Sequence, residues 1–226
     1  MRCFIITPFS RPEFISNVLD NFRCQNYPKK TLIVIENGPA IGTFPRNTGE
    51  NIVVLESEHH QSIARNQALD WIKENYVGPH SCWLNQDDDD RYGPSYCPEA
   101  VWFMRQYPDH ITGKRRHWVQ TKTMGTFLYR HPQNNYLHGA TLGSCSFEHR
   151  YPTDVAIGED FKLVNLFGDK TVSSSINHYV WIRRDYGRAH TFSGNDYLIY
   201  HTGRIKDSVS NELYKQVQGS PFLFPR

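Results

Sequence analysis

Residues 3–35 read CFIITPFSRPEFISNVLDNFRCQNYPKKTLIVI, and this stretch decides the fold class. The run at 3–6 is apolar on every side and reads as a short buried strand. Ser10, Arg11, Pro12 and Glu13 have the form of a capping box with proline in the first helical turn. Phe14, Ile15, Val18, Leu19 and Phe22 then recur at helical spacing, and Asn26, Tyr27 and Pro28 end that helix before a second apolar strand at 31–35. Two continuous apolar strands separated by an amphipathic helix imply a parallel sheet covered on both faces. Such sheets take ligands beyond the carboxyl ends of their strands, so the residues just after each strand carry the functional reading.

Working outward, the alternation continues. A third strand is expected at 52–55 and a helix over 62–75, with Ala64, Ala68, Trp71 and Ile72 on its inner face. Cys82, Trp83 and Leu84 form a short strand that runs into Asn85, Gln86 and four consecutive aspartates, 87–90. Gly93 and Pro94 then turn the chain into a helix over 98–107. Beyond residue 110 the pattern is less regular, with strands at 118–121 and 127–129, glycines at 139 and 143, and a helix opening near Gly158. The expectation is one α/β domain over 1–226, with a mostly parallel central sheet flanked by helices.

Composition agrees. With 226 residues, 38% hydrophobic and 14% aromatic, the chain can bury a core of its own, which excludes disordered and fibrous classes. Residues 1–100 carry 9 Lys and Arg against 13 Asp and Glu, whereas 101–226 carry 16 against 10. An acidic first half suits a cation and a basic second half an anionic ligand, although such asymmetry also occurs on ordinary solvated surfaces. The five cysteines are scattered without a Cys-x-x-Cys pair, so neither a disulfide framework nor a zinc ribbon is indicated and a reducing cytoplasm is the expected setting. No apolar run approaches the ~20 residues needed to cross a bilayer.

Adjacent like charges repel, so a folded chain keeps four aspartates together chiefly where a cation or solvent offsets the cost. The bland reading is an exposed acidic turn. The position directly after an apolar strand favours a hard divalent cation, Mg2+ or Mn2+, held by one or two carboxylates and by substrate phosphates.

These motifs, in this order, resemble the family 2 glycosyltransferases with the Rossmann-like GT-A fold. Ile5 to Pro12 resembles the family's opening strand, Thr-Pro turn and helix; Glu36, Asn37 and Gly38 its acidic residue and small turn after the second strand, with Glu in place of Asp. Ile63, Ala64, Arg65 and Asn66 match its Ala-Arg-Asn signature, and residues 87–90 its Asp-x-Asp-Asp motif with Pro94 at the expected distance. A register that starts at Asn85 puts that proline two positions too far along. Gly158, Glu159 and Asp160 resemble its Glu-Asp motif, whose second acid is the catalytic base; alone, that pair would read as ordinary helix N-terminal charge. The resemblance covers about residues 3–190.

What it implies is a metal-dependent, inverting glycosyltransferase with a nucleotide-sugar donor, a UDP-sugar first. Residues 1–95 form the nucleotide-sugar half, and 96–226 the acceptor half with the base. Thr7, Pro8, Arg11, Glu36, Asn37, Arg65, Asp87 and Asp88 are implied donor contacts, Arg65 meeting either the nucleotide base or the acid cluster. Asp87 and Asp89 are implied metal ligands with His190, which reads equally as an ordinary partly buried histidine, and Asp160 is the implied base. The segment 181–184 lacks the Gln-x-x-Arg-Trp motif of processive synthases, so single-sugar transfer is expected. The acceptor stays open among saccharide, lipid-linked, protein and nucleic acid. The cluster Lys114, Arg115, Arg116, His117 and Trp118 offers phosphate contacts and a stacking ring for a hydroxylated nucleic-acid base, or is a solvated loop. Nucleotidyl transfer and non-catalytic sugar-nucleotide binding are the rival readings.

Overall fold

The first strand runs further than its apolar core. In the computed structural model, which describes residues 1–76, 80–121, 125–130, 137–154, 159–174 and 179–183, β1 spans Arg2–Phe9 and is buried from residue 3 onward. Its side chains alternate between two apolar clusters: Cys3, Ile5 and Phe9 enter one, Phe4 and Ile6 the other. The next strand, β2 (Lys30–Asn37), divides in the same way, with Leu32 and Val34 on one side and Ile33 and Ile35 on the other. Burial on both faces is why these strands read as unbroken apolar runs.

Helices supply the two covers. On the first face lies α1 (Ile15–Arg23), through Val18, Leu19 and Phe22. After β3 (Ile52–Ser57), α2 (Gln61–Asn75) covers the second face with Ala64, Ala68, Leu69 and Ile72, while Trp71 packs at its edge. The strand β4 (Ser81–Asn85) sends Cys82 and Leu84 to the first face and Trp83 to the second. A short β5 (Arg91–Tyr92) leads into α3 (Tyr96–Gln106), which joins the first cover through Cys97, Ala100, Val101 and Met104. Full burial of a large apolar side chain contributes about 1.5–3 kcal/mol, so this two-sided core holds the strand ends in fixed positions.

The second half completes the sheet. It contains β6 (Ile111–Gly113), β7 (Arg116–Thr121), β8 (Gly125–Arg130), β9 (Gly143–Ser144), α4 (Glu159–Leu166), β10 (Thr171–Ser173) and β11 (Tyr179–Arg183). Among the described residues, the main sheet has seven strands in the order β10-β6-β9-β4-β1-β2-β3, and a four-stranded sheet runs β5-β11-β7-β8. The contiguous block β4-β1-β2-β3 is parallel throughout, and β9 alone runs antiparallel to its neighbours β4 and β6. A side chain at Gly143 would strike the carbonyl of Trp83, which is why β9 carries glycine where it meets β4.

Three expectations are corrected. Thr7 and Pro8 continue β1 rather than turning out of it. Proline is tolerated because Ile6 and Pro8 point their main chain toward β4, whose pairing with β1 ends at Asn85. There is no capping box at Ser10 and Glu13: Arg11 precedes a short 3-10 turn, Pro12–Phe14, with no side-chain cap, and the helix proper begins at Ile15. The basic cluster is not a uniformly solvated loop: Arg116 is exposed and Arg115 half-buried, but the other three residues turn inward. Lys114 is 1% exposed and sits 3.5 Å from Glu99 and 3.2 Å from the Ser174 hydroxyl, and Trp118 and His117 are buried with it. Burial pushes the Lys114 ammonium down to about 8.

Candidate active site

The acidic run is folded inward by asparagines of α1. The Asn17 side-chain amide donates to the carbonyls of Asp88 (2.6 Å) and Asp90 (2.9 Å), and Asn21 donates to the same Asp90 carbonyl at 2.8 Å. The Asp87 N–H donates to the Tyr92 hydroxyl at 2.8 Å, which donates in turn to the Ala140 carbonyl. Asp88, Asp89 and Asp90 are at most 5% exposed, which removes the reading as an exposed turn. Asn85 is fully buried and its amide donates to the Gly139 carbonyl (2.8 Å) and the Tyr151 hydroxyl (2.7 Å).

Two arginines organise the carboxylates. Arg11, just past β1, donates to Asp88 through Nε and Nη2 and to Asp89 through Nη1 at 2.8 Å. Asp87 turns the other way, its Oδ1 3.0 Å from Nη2 of Arg65, and its side chain remains 28% exposed. Arg65 projects from α2 and its guanidinium is 2% exposed. Its Nη1 lies 3.4 Å from Glu159 and 3.6 Å from Asp160, both in the first turn of α4, and its plane sits 5.3 Å from the ring centroid of Tyr151. One buried guanidinium thus joins the acid at the end of β4 to the acid at the start of α4, residues that lie far apart in sequence.

These pairs share two guanidinium groups among five carboxylates. Burial first, and neighbouring acids second, push Asp160 up to about 7 against the pull of Arg65. Burial likewise lifts Asp88 to about 6 despite Arg11, and raises Asp87. Uncompensated negative charge at one sheet end fits a hard divalent cation, which needs only one or two carboxylates when phosphates complete its shell. The described residues contain no ready group of three His, Cys, Asp or Glu ligands. His190 lies outside the described residues.

The remaining candidates divide. Thr7 is fully buried, and its hydroxyl has no hydrogen-bond partner among the described residues. Glu36 is also fully buried, and its carboxylate accepts from the amides of Gly42 and Phe44 and from Arg46 at 2.7 Å, holding the loop after β2. Asn37 donates to the His59 carbonyl. The spacing of motifs did not reveal Tyr92, Tyr151 or Gly139. Asn66 clamps Tyr151 through both main-chain groups, accepting from its N–H and donating to its carbonyl at 2.9 and 2.8 Å.

No family model and no curated protein matches the chain. Solved structures do. TarS 1–349 of S. aureus matches with a TM-score of 0.54 and 14% identity over 80% of this chain and 60% of that one. The mannosyltransferase PcManGT from Pyrobaculum calidifontis, in complex with GDP-Man and Mn2+, matches with a TM-score of 0.60 and 15% identity over 83% and 58%. GalNAc-T7 with UDP, GalNAc and Mn2+ matches with a TM-score of 0.62 and 10% identity over 81% and 44%. The fold is that of the GT-A glycosyltransferases. The chain spans less than two thirds of each of these solved chains. In this GT-A chain the acid cluster sits at the carboxyl end of β4, within the parallel block of the sheet.

Proposed function

We propose that the chain is a glycosyltransferase that moves a sugar from a nucleotide-sugar donor to an acceptor hydroxyl, with inversion and one sugar per cycle. The observation that carries this reading is the convergence of Asp87 and Asp160 on Arg65, which sets a cation-suited acid beside a buried acid poised near neutrality. Asp87 and Asp89 are the carboxylates that would hold Mn2+ or Mg2+, which when bound supplies Lewis-acid stabilisation of the charge that grows on the departing diphosphate. Asp160 takes the acceptor hydroxyl proton as that oxygen attacks the anomeric carbon. Its burial raises its basicity, and its Oδ1 lies 3.6 Å from the Arg65 guanidinium with no hydrogen-bond partner among the described residues. A single base and a single displacement imply inversion. The donor half is 1–95 and the acceptor half 96–226.

Related folds have been solved with UDP-GlcNAc, GDP-Man, and UDP with GalNAc, so UDP-sugars lead the proposed donors and GDP-sugars follow. The nucleic-acid alternative has less support, because Lys114 and Trp118 are buried and only Arg115 and Arg116 of that cluster reach the surface. The test is release of nucleoside diphosphate from a panel of UDP- and GDP-sugars with and without Mn2+. Asp160→Asn should lower release by roughly two to four orders of magnitude while UDP affinity stays within a few fold. Turnover close to wild type in that variant would remove Asp160 from the role of base.

A further inference from the structure

Gly139 opens a 3-10 turn, Gly139–Thr141, that follows β8 in the chain and leads directly into β9. A methyl group built on its Cα would overlap the Asp160 carboxyl, with Oδ2 and Cγ both inside any van der Waals separation. Its backbone does not call for glycine by torsion, since Gly38, Gly42, Gly49 and Gly168 are the described glycines with positive φ. Space is therefore the reason for the missing side chain. The atoms that a methyl would meet belong to the free end of Asp160, which has two rotatable bonds. A larger residue here would move the carboxylate and leave the backbone in place.

The shelf beneath the carboxylate is itself pinned. The Gly139 carbonyl accepts from Asn85 Nδ2, the same amide donates to the Tyr151 hydroxyl, and Tyr151 lies under the guanidinium that pairs with Asp160. The end of β4, the 3-10 turn, Tyr151, Arg65 and α4 form a closed ring around one carboxylate.

We infer that Gly139 is a positioning residue: its bare Cα is the floor that sets the Asp160 carboxylate in line with the acceptor oxygen, and Asn85 and Tyr151 fix the height of that floor. This rests on the reading of Asp160 as the base. Gly139 touches no reacting atom and acts only through that side chain. Displacement of a catalytic group by ~1 Å can cost about 100-fold in rate, whereas the fold loses little when only a side-chain end shifts.

The experiment is a mutant cycle read in three ways: turnover of UDP-GlcNAc and GDP-Man with Mn2+, calorimetric binding of UDP with Mn2+, and urea unfolding of the ligand-free protein. Gly139→Ala should lower turnover about 100-fold, keep UDP affinity within threefold and shift the pH profile of turnover. Added to Asp160→Asn, it should cause no further loss of turnover. In urea, the cost of Gly139→Ala should shrink when Asp160→Ala removes the carboxyl it strikes, a coupling that needs no ligand. Should Gly139→Ala fail to fold, Tyr151→Phe decides, with a fall of about tenfold in turnover and a moved pH midpoint at unchanged UDP affinity supporting the inference. Wild-type turnover and pH profile in Gly139→Ala, or additive effects in the cycle, overturn it. Those outcomes with Asp160→Asn inactive sink the positioning role alone, while an active Asp160→Asn sinks the base itself.

Discussion

Asp160 shows how one side chain trades stability for chemistry. Its carboxyl is held up to about 7 because burial and the neighbouring Glu159 and Asp87 outweigh Arg65. The folded protein therefore keeps a proton on this group across a range where the unfolded chain, titrating near 4, has released it. Folding stability from Asp160 is highest below that range and falls as pH rises from about 4 to about 7. Asn has nearly the same shape and does not titrate. Asp160→Asn should thus gain stability over wild type as pH rises, by on the order of 3 kcal/mol between pH ~4.5 and pH ~8 in urea unfolding of the ligand-free protein. A gap between the two proteins that is the same at both pH values would show that the carboxyl is already ionised throughout. The resemblance singled out Asp160, Asp87 and Arg65 by number, but only the folded chain shows Arg65 touching both acids.

At the scale of elements, the segment after β2 is the clearest case of a residue with a second reading. Glu36 follows the strand where the family pattern puts a nucleotide-base contact, yet its two oxygens are taken by the Gly42 and Phe44 amides and by Arg46. Glu36→Gln replaces one acceptor by a donor facing a backbone N–H, leaving a buried amide unsatisfied at a cost of about 1–3 kcal/mol. We expect that variant to expose residues 38–46 to limited proteolysis, and to weaken UDP binding in step with the loop. UDP binding lost while the loop stays protease-resistant would instead mark a direct contact with the base. The longer strands and helices up to residue 107 were legible because unbroken apolar runs and a 3.6-residue stripe each have one favourable burial, whereas the two-residue β5 was not. Beyond that point β6, β9 and β10 are two or three residues long, too short for any periodicity to show. Lys114 misled for a related reason: composition records charge, whereas its burial depends on Glu99 and Ser174 arriving from other elements.

For the whole molecule, surplus negative charge at the sheet end makes a linkage prediction. A cation and a diphosphate bound together stabilise only the folded chain, so its melting temperature should rise with UDP and Mn2+ combined and fall back on chelation. UDP without metal should give a much smaller rise, and Asp89→Ala should abolish the metal-dependent part. An equal shift with EDTA present would separate donor binding from any cation. Among the described residues, no helix is long and apolar enough to cross a membrane. The sequence by itself determined the α/β class, the parallel start of the sheet and the two acidic motifs, because those depend on neighbours a few residues apart. The tertiary structure alone decided which acids meet, that Asp160 rests against Gly139, and that Lys114 turns inward. These contacts join segments tens of residues apart, and their distances are set by how helices seat on the sheet, which no local pattern encodes.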